Sequence, residues 1–191
     1  MECCKHVDDR HFSPLFFRAI NAIRRVVSPA GRAVRPYVRE GFTVADLGSG
    51  PGYFTAYLSR LAGTSGKVIS VDSDPRMIRY LERFVSRKRL ENVTCRVASA
   101  TDVGFIPDSS VDFVLSSGTI CCLLDHDRAV SEIIRILKDT GTAIIAVGKH
   151  LPASDPRTVS KEEWNRILSR FNVAETIETH LELRAAVSKR K

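Results

Sequence analysis

The chain contains only five cysteines, placed as Cys3-Cys4, Cys95 and Cys121-Cys122. An odd number, set in adjacent pairs without a C-x-x-C, fits neither a disulfide framework nor a zinc site and points to a reducing compartment. Long apolar runs are also missing. The most continuous, Ile120 to Leu124 and Ala143 to Val147, fall far short of the roughly 18 residues that a membrane span needs. The opening MECCKHVDDRHF places Asp8 and Asp9 where a secretory leader needs apolar residues and where a transit peptide avoids acids. A cytoplasmic address is the expectation. There is no low-complexity segment and no internal repeat, which excludes fibrous, disordered and solenoid classes.

What is present is ordinary for one globular domain: 191 residues, 43% hydrophobic and 27% charged. The net charge of +7 is uneven. Residues 1–41, 76–96 and 184–191 are basic, and the remainder is acidic. Such a rim can attract phosphates, but charge governs encounter rather than reaction.

From Thr43 onward, short apolar runs alternate with segments of helical period, the pattern of repeated βα units on a parallel sheet. Strands are expected at Thr43 to Leu47, Lys67 to Asp72, Val93 to Val97, Asp112 to Ser116 and Thr142 to Val147. Between the second and third, Asp74 can cap a helix with Pro75 in its first turn, and Met77, Ile78, Leu81, Phe84 and Val85 share one face. A helix is likewise expected across 125–141, with Val130, Ile133, Ile134 and Leu137 inward and Gly141 near its stop. A further helix follows the Ser160 cap, with Trp164 in the core. The chain then ends in a hairpin turning around His180 to Glu182. The fold expectation is α/β: a doubly wound, mostly parallel, seven-stranded sheet with a C-terminal antiparallel edge strand, in three layers. Residues 1–40 would form a helical extension, and 41–191 the α/β domain.

The sharpest local feature is V-A-D-L-G-S-G-P-G-Y-F-T, where a strand ending at Asp46 and Leu47 runs through Gly48, Gly50 and Gly52 into a helix near Tyr53. Glycines let a ligand lie against bare backbone, and the helix N-terminus beyond offers free N–H groups to an anion. Asp72, at the end of the second strand, stands where an acid accepts hydrogen bonds from ribose hydroxyls. A nucleoside is therefore the expected ligand. Tyr53 occupies the third glycine position of G-x-G-x-x-G, which disfavours NAD, and the absence of G-x-x-x-x-G-K-[ST] disfavours ATP.

The spacing D-x-G-x-G-x-G, followed by VISVDSDPRMI and RILKDTGTAII, resembles class I S-adenosylmethionine-dependent methyltransferases over residues 43 to 188. The resemblance implies S-adenosylmethionine as methyl donor and S-adenosylhomocysteine as product. It implies that Asp46, Gly48, Ser49, Gly50 and Gly52 lie along the methionine part, Asp72 on the ribose, and Ser73 with Met77 beside the adenine. The stretch RVASATDVGFIPDSSVDFV is similar to the family's G-D-A-x-x-L-P-x-x-D-x-S-F-D, which assigns adenine contacts to Ser99 and Ala100. Ser99 stands where a carboxylate is usual, and Asp139-Thr140-Gly141 where Pro-Gly-Gly is common.

Candidates for a base toward the acceptor stand after the fourth strand, Ser116, Ser117, Thr119 and Cys121-Cys122, and Ser116 is also expected to touch the cofactor. The same resemblance makes residues 1–40 a helical extension or substrate lid and 41–191 the S-adenosylmethionine-binding methyltransferase domain. The cysteine pair resembles the one cysteine that arsenite methyltransferases carry there, and also fits two small buried hydrophobes. His126 and His150 are isolated and carry no assigned role. Arg76, Arg79, Arg83, Arg87, Lys88 and Arg89 form a basic stripe that reads as a solvated face. N-P-P-Y and P-C, the signatures of N6-adenine and cytosine methylation in the family, are missing. The expectation is a small-molecule acceptor without metal or membrane, with RNA, protein or a non-catalytic nucleoside-binding module as alternatives.

Overall fold

Apolar runs bounded by glycine and polar turns become strands because burial on both faces removes them from water while the sheet satisfies their backbone groups. A computed structural model describes residues 33–149, 152 and 154–190. Its strands are β1 (Thr43–Leu47), β2 (Lys67–Asp72), β3 (Val93–Val97), β4 (Val111–Ser117), β5 (Leu137–Gly148), β6 (Phe171–Glu178) and β7 (Glu182–Lys189). They form one sheet in the order β3-β2-β1-β4-β5-β7-β6. Strands β1 to β5 pair in parallel, and β7 runs antiparallel to both β5 and β6. The C-terminal hairpin thus makes one end of the sheet, with β7 one place inside the edge and β6 outermost.

Helices α1 (Thr55–Ala62), α2 (Pro75–Lys88), α3 (His126–Ile136) and α4 (Lys161–Leu168) join the strands. Three have side-chain caps: Asp74 accepts from the Arg76 N–H, Asp125 from that of Arg128, and Ser160 from that of Glu163. On one face, Leu58 and Ala62 of α1 pack with Val34, Val44, Val68, Phe113, Leu115 and Ile144. On the other, Val130, Ile133 and Ile136 of α3 and Trp164 of α4 pack with Ala45, Leu47, Val114 and Ile145. Neighbouring strand residues such as Val114 and Leu115 serve opposite cores, which gives the three layers.

The 125–141 helix is shorter than expected. α3 ends at Ile136, and Leu137 already pairs with Val111, so β5 runs from Leu137 through Gly141 to Gly148. The backbone explains the early stop. The N–H groups of Ser109 and Ser110 donate to the carbonyls of Arg135 and Ile136, taking acceptors that a longer helix would have used. In α2, Met77, Ile78 and Leu81 are buried, while Phe84 and Val85 are half-buried. Trp164 is core, as expected.

The chain lays β1, β2 and β3 outward in one direction and returns to set β4 on the other side of β1. That reversal makes a switch point between the carboxyl ends of β1 and β4, where open α/β sheets hold ligands. Among the described residues, no helix is long and apolar enough to cross a membrane. The expected lid over residues 1–40, the pair Cys3-Cys4 and His150 lie outside the described residues, apart from positions 33–40.

Candidate active site

At the switch point, the glycine loop leaves β1 and is strapped to the end of β2. The N–H groups of Gly48 and Ser49 donate to the Val71 carbonyl (2.8 and 2.9 Å). The Gly50 N–H donates to Asp72 Oδ2 (2.8 Å), and the Asp74 N–H to Asp72 Oδ1 (2.9 Å). One carboxylate thus holds both the glycine loop and the entry to α2.

The loop glycines differ in purpose. Gly48 has φ +74°, and a Cβ there would collide with the Thr119 side chain, whose hydroxyl donates to the Leu47 carbonyl (2.7 Å). Gly50 has φ +52° and nothing within 4 Å of the position a Cβ would take. It presents open backbone, as a cradle for a ligand requires. Beside it, the Ser49 hydroxyl is buried without a hydrogen-bond partner, and so is that of Ser116 at the end of β4. Buried polar atoms are normally satisfied, so two orphans beside one switch point fit a site built for a polar ligand.

Asp46 lies beneath the loop, 2% exposed, and Thr55 Oγ1 donates to its Oδ2 (2.7 Å). Ser70 in turn donates to Thr55 Oγ1 (3.3 Å). Burial pushes the Asp46 carboxyl up to about 7; the Thr55 bond opposes this, and the nearby Asp72 charge adds to it. Asp46 thus lies beneath the cradle, its carboxyl held by Thr55.

The expected adenine side is partly assembled. Ser73 is half-buried just past Asp72, and Met77 is buried in the inward face of α2. Ser99 and Ala100 are buried after β3, with the Ser99 hydroxyl accepting from Thr101 Oγ1 (2.9 Å). This loop is held by α3. Arg128 Nε donates to the Thr101 carbonyl (2.9 Å), Glu132 accepts from the Val103 N–H (2.9 Å), and Arg135 donates to the carbonyls of Val103 and Ile106.

Of the acceptor-side candidates, Cys121 is buried, and its sulfur accepts from the Gly148 N–H (3.4 Å). Cys122 is half-buried and donates to the Gly118 carbonyl (3.3 Å). Both serve the turn after β4. The third described thiol, Cys95, is pushed up to about 11, chiefly by burial, which keeps it protonated and inert. His126 is buried at the first position of α3, with Nδ1 3.1 Å from Glu163 Oε1. It borders a cavity of about 450 Å³ with Asp125, Asp127 and Arg166, and this cavity shares no residue with the glycine loop. The basic side chains of α2 are exposed, and Arg76 is paired with Asp74 (2.8 Å).

Sequence reasoning missed Thr55 as the partner of Asp46 and Thr119 as the brace over Gly48. Thr55 carried a signal, since it shares the inward face of α1 with Leu58, Ser59 and Ala62. Thr119 carried none, because its partner lies 72 residues away.

Three outcomes follow for the loop and the acid beneath it. Gly48→Ala should lose about 3 kcal/mol or more by chemical denaturation, because Thr119 must move. Gly50→Ala should lose only about 1 kcal/mol for its left-handed backbone, yet weaken S-adenosylhomocysteine more than tenfold in calorimetry. Asp46 has a folded value above its unfolded one, so the folded state holds the extra proton. Its contribution is full below the unfolded value of 3.8 and is lost as pH rises through about 7. Unfolding free energy should fall between pH 5 and 7.5, and Asp46→Asn should flatten that slope.

The model of the family described as a methyltransferase domain matches residues 45–145. The chain is 37% identical over 109 residues to the ubiquinone/menaquinone biosynthesis C-methyltransferase UbiE of Pasteurella multocida, a match covering 56% of this chain and 40% of that protein. It thus spans less than half the length of that relative. Among solved structures it is similar to a SAM-dependent methyltransferase from Aquifex aeolicus, with TM-score 0.80, 24% identity and coverage of 94% of this chain and 100% of that one. The PH0226 protein of Pyrococcus horikoshii is similar at TM-score 0.74 and 18% identity, with 88% and 91% covered. The match from Ala45 to Ile145 takes in the glycine loop, Asp72, the loop after β3 and the end of β4, and the chain belongs to the methyltransferase domain family.

Proposed function

We propose that the chain binds S-adenosylmethionine at the carboxyl edge of β1, β2 and β4 and transfers its methyl group to a small-molecule acceptor. The observation that carries this reading is the open backbone of Gly50, held by the same Asp72 carboxylate that faces the switch point. In this reading Gly48, Ser49, Gly50 and Gly52 cradle the amino-acid end, Asp72 takes the ribose hydroxyls, and Ser73, Met77, Ser99 and Ala100 enclose the adenine. The Ser49 and Ser116 hydroxyls, buried without partners, gain theirs from the ligand.

When bound, the sulfonium supplies an electrophilic methyl group that leaves readily, so the protein's task is to position the acceptor and exclude water. Orientation alone can contribute roughly 7 to 11 kcal/mol to such a reaction. Burial of Ser49, Ser116 and Thr119 around the edge keeps that region dry. The soluble, cytoplasmic setting expected from the sequence belongs to this proposal.

Labelled methyl donor incubated with the protein and a cell extract should place label in the small-molecule fraction. Label that ribonuclease releases would favour the RNA alternative, and label on polypeptide the protein one. Donor binding with no labelled product would favour the non-catalytic module.

A further inference from the structure

Two cavities stand out among the described residues, and only one includes a residue next to the glycine loop. It has a volume of about 60 Å³, and Tyr53, one position past Gly52, helps to line it. Its other walls come from the carboxyl edge on the α1 face: Leu115 and Ser117 of β4, Ile144 and Ala146 of β5, and Arg184 of β7, which pairs with Ala146. Val34 and Phe54 close it from outside the sheet.

Strand alternation explains how it forms. Phe113 and Leu115 point into the core beneath α1, so Ser117 ends that same row, where the apolar layer gives way to the edge. Ser116 turns to the opposite face. The two serines therefore flank the end of β4, one beside the proposed donor site and one at the mouth of this pocket.

We propose that this pocket seats the methyl acceptor, and that the acceptor is a small neutral molecule with an apolar ring or alkyl body presenting one oxygen or nitrogen nucleophile to Ser117. This rests on the donor reading given under Proposed function. Three observations select that chemistry. The walls set Val34, Leu115, Ile144 and Ala146 against the polar ends of Ser117, Glu182 and Arg184, so an apolar body meets carbon on one side while a single polar group finds a partner on the other. The two charged side chains, Glu182 and Arg184, lie 3.5 Å apart and largely neutralise each other, leaving no net charge to hold an ionic acceptor. The volume is far below the roughly 300 to 1,000 Å³ that encloses a drug-sized ligand. It admits the reactive end of a single ring and excludes an extruded nucleobase with its sugar.

The Ser117 hydroxyl can accept a hydrogen bond from the acceptor's O–H or N–H and so fix the direction of the lone pair. That lone pair forms the new bond to the methyl carbon. The carbon–sulfur bond breaks with its electron pair left on sulfur, which converts the sulfonium to a thioether, and the acceptor's proton passes to water.

The test uses 4-ethylphenol as probe and adenosine as control, titrated into the ¹⁵N-labelled full chain with and without saturating S-adenosylhomocysteine. The expected result is amide shift changes for 4-ethylphenol confined to Ser117, Ala146, Arg184 and their neighbours, larger in the presence of S-adenosylhomocysteine, with none for adenosine. Ser117→Val should weaken 4-ethylphenol about tenfold while leaving S-adenosylhomocysteine affinity within about twofold. Ala146→Leu, which fills the pocket, should abolish the probe's shifts. Shifts scattered elsewhere, or adenosine binding at these residues in a protein that binds S-adenosylhomocysteine, would overturn the pocket assignment. Probe binding here in a protein that does not bind S-adenosylhomocysteine would leave a ligand pocket and remove its acceptor role, and would count against the donor reading separately.

Discussion

The candidate site depends on one carboxylate. Asp72 closes β2, and its two oxygens receive the Gly50 N–H from the loop after β1 and the Asp74 N–H from the start of α2. With the bonds from Gly48 and Ser49 to the Val71 carbonyl, it turns the glycine loop into a rigid appendage of the neighbouring strand. The pairing of Leu47 with Val71 in parallel register makes this possible, because it ends both strands at the same height. Pre-organisation of this kind lowers the ordering cost that a ligand would otherwise meet on binding. The residue proposed to hold the ribose is also the one that shapes the cradle, so its structural and ligand roles are joined.

The other loops at the same edge are tied in comparable ways. Thr119 fastens the exit of β4 to the last carbonyl of β1, and α3 holds the loop after β3 through Arg128, Glu132 and Arg135. The side-chain bonds to Arg135 raise its pKa, chiefly through Glu132, and the same pairing holds the Glu132 carboxyl low. Hydrogen bonds to charged groups contribute about 1.5 to 3 kcal/mol each. The loop from Thr101 to Asp108, which follows Ser99 and Ala100, is thus tied to α3 at Thr101, Val103 and Ile106.

The parallel strands were readable because most are short apolar runs buried on both faces, while β3, half-buried to exposed at the sheet edge, was readable from its β-branched residues and its place after α2. The α2 start was readable because Asp74 and Pro75 are local signals. The boundary between α3 and β5 was not, since it is decided by the Ser109 and Ser110 amides, more than 25 residues away in the chain, and not by anything near Gly141. The glycine loop and Asp72 could be read as a unit from spacing alone. That Gly48 is required by Thr119 while Gly50 faces open space could not, because their neighbours are set by packing. The small pocket was invisible for the same reason: its walls come from three strands and the segments at Ala33–Val34 and Tyr53–Phe54, far apart in sequence and with no shared spacing.

The proposed cradle made by Gly50 and Asp72 takes a nucleoside bearing an amino-acid tail. Calorimetric titration with S-adenosylhomocysteine, beside NAD and ATP, tests it most directly. One-to-one micromolar binding of S-adenosylhomocysteine and none of the other two is the expected result. No heat with S-adenosylhomocysteine on folded protein, or equal binding of all three, would contradict it and leave the glycine loop as a tight turn.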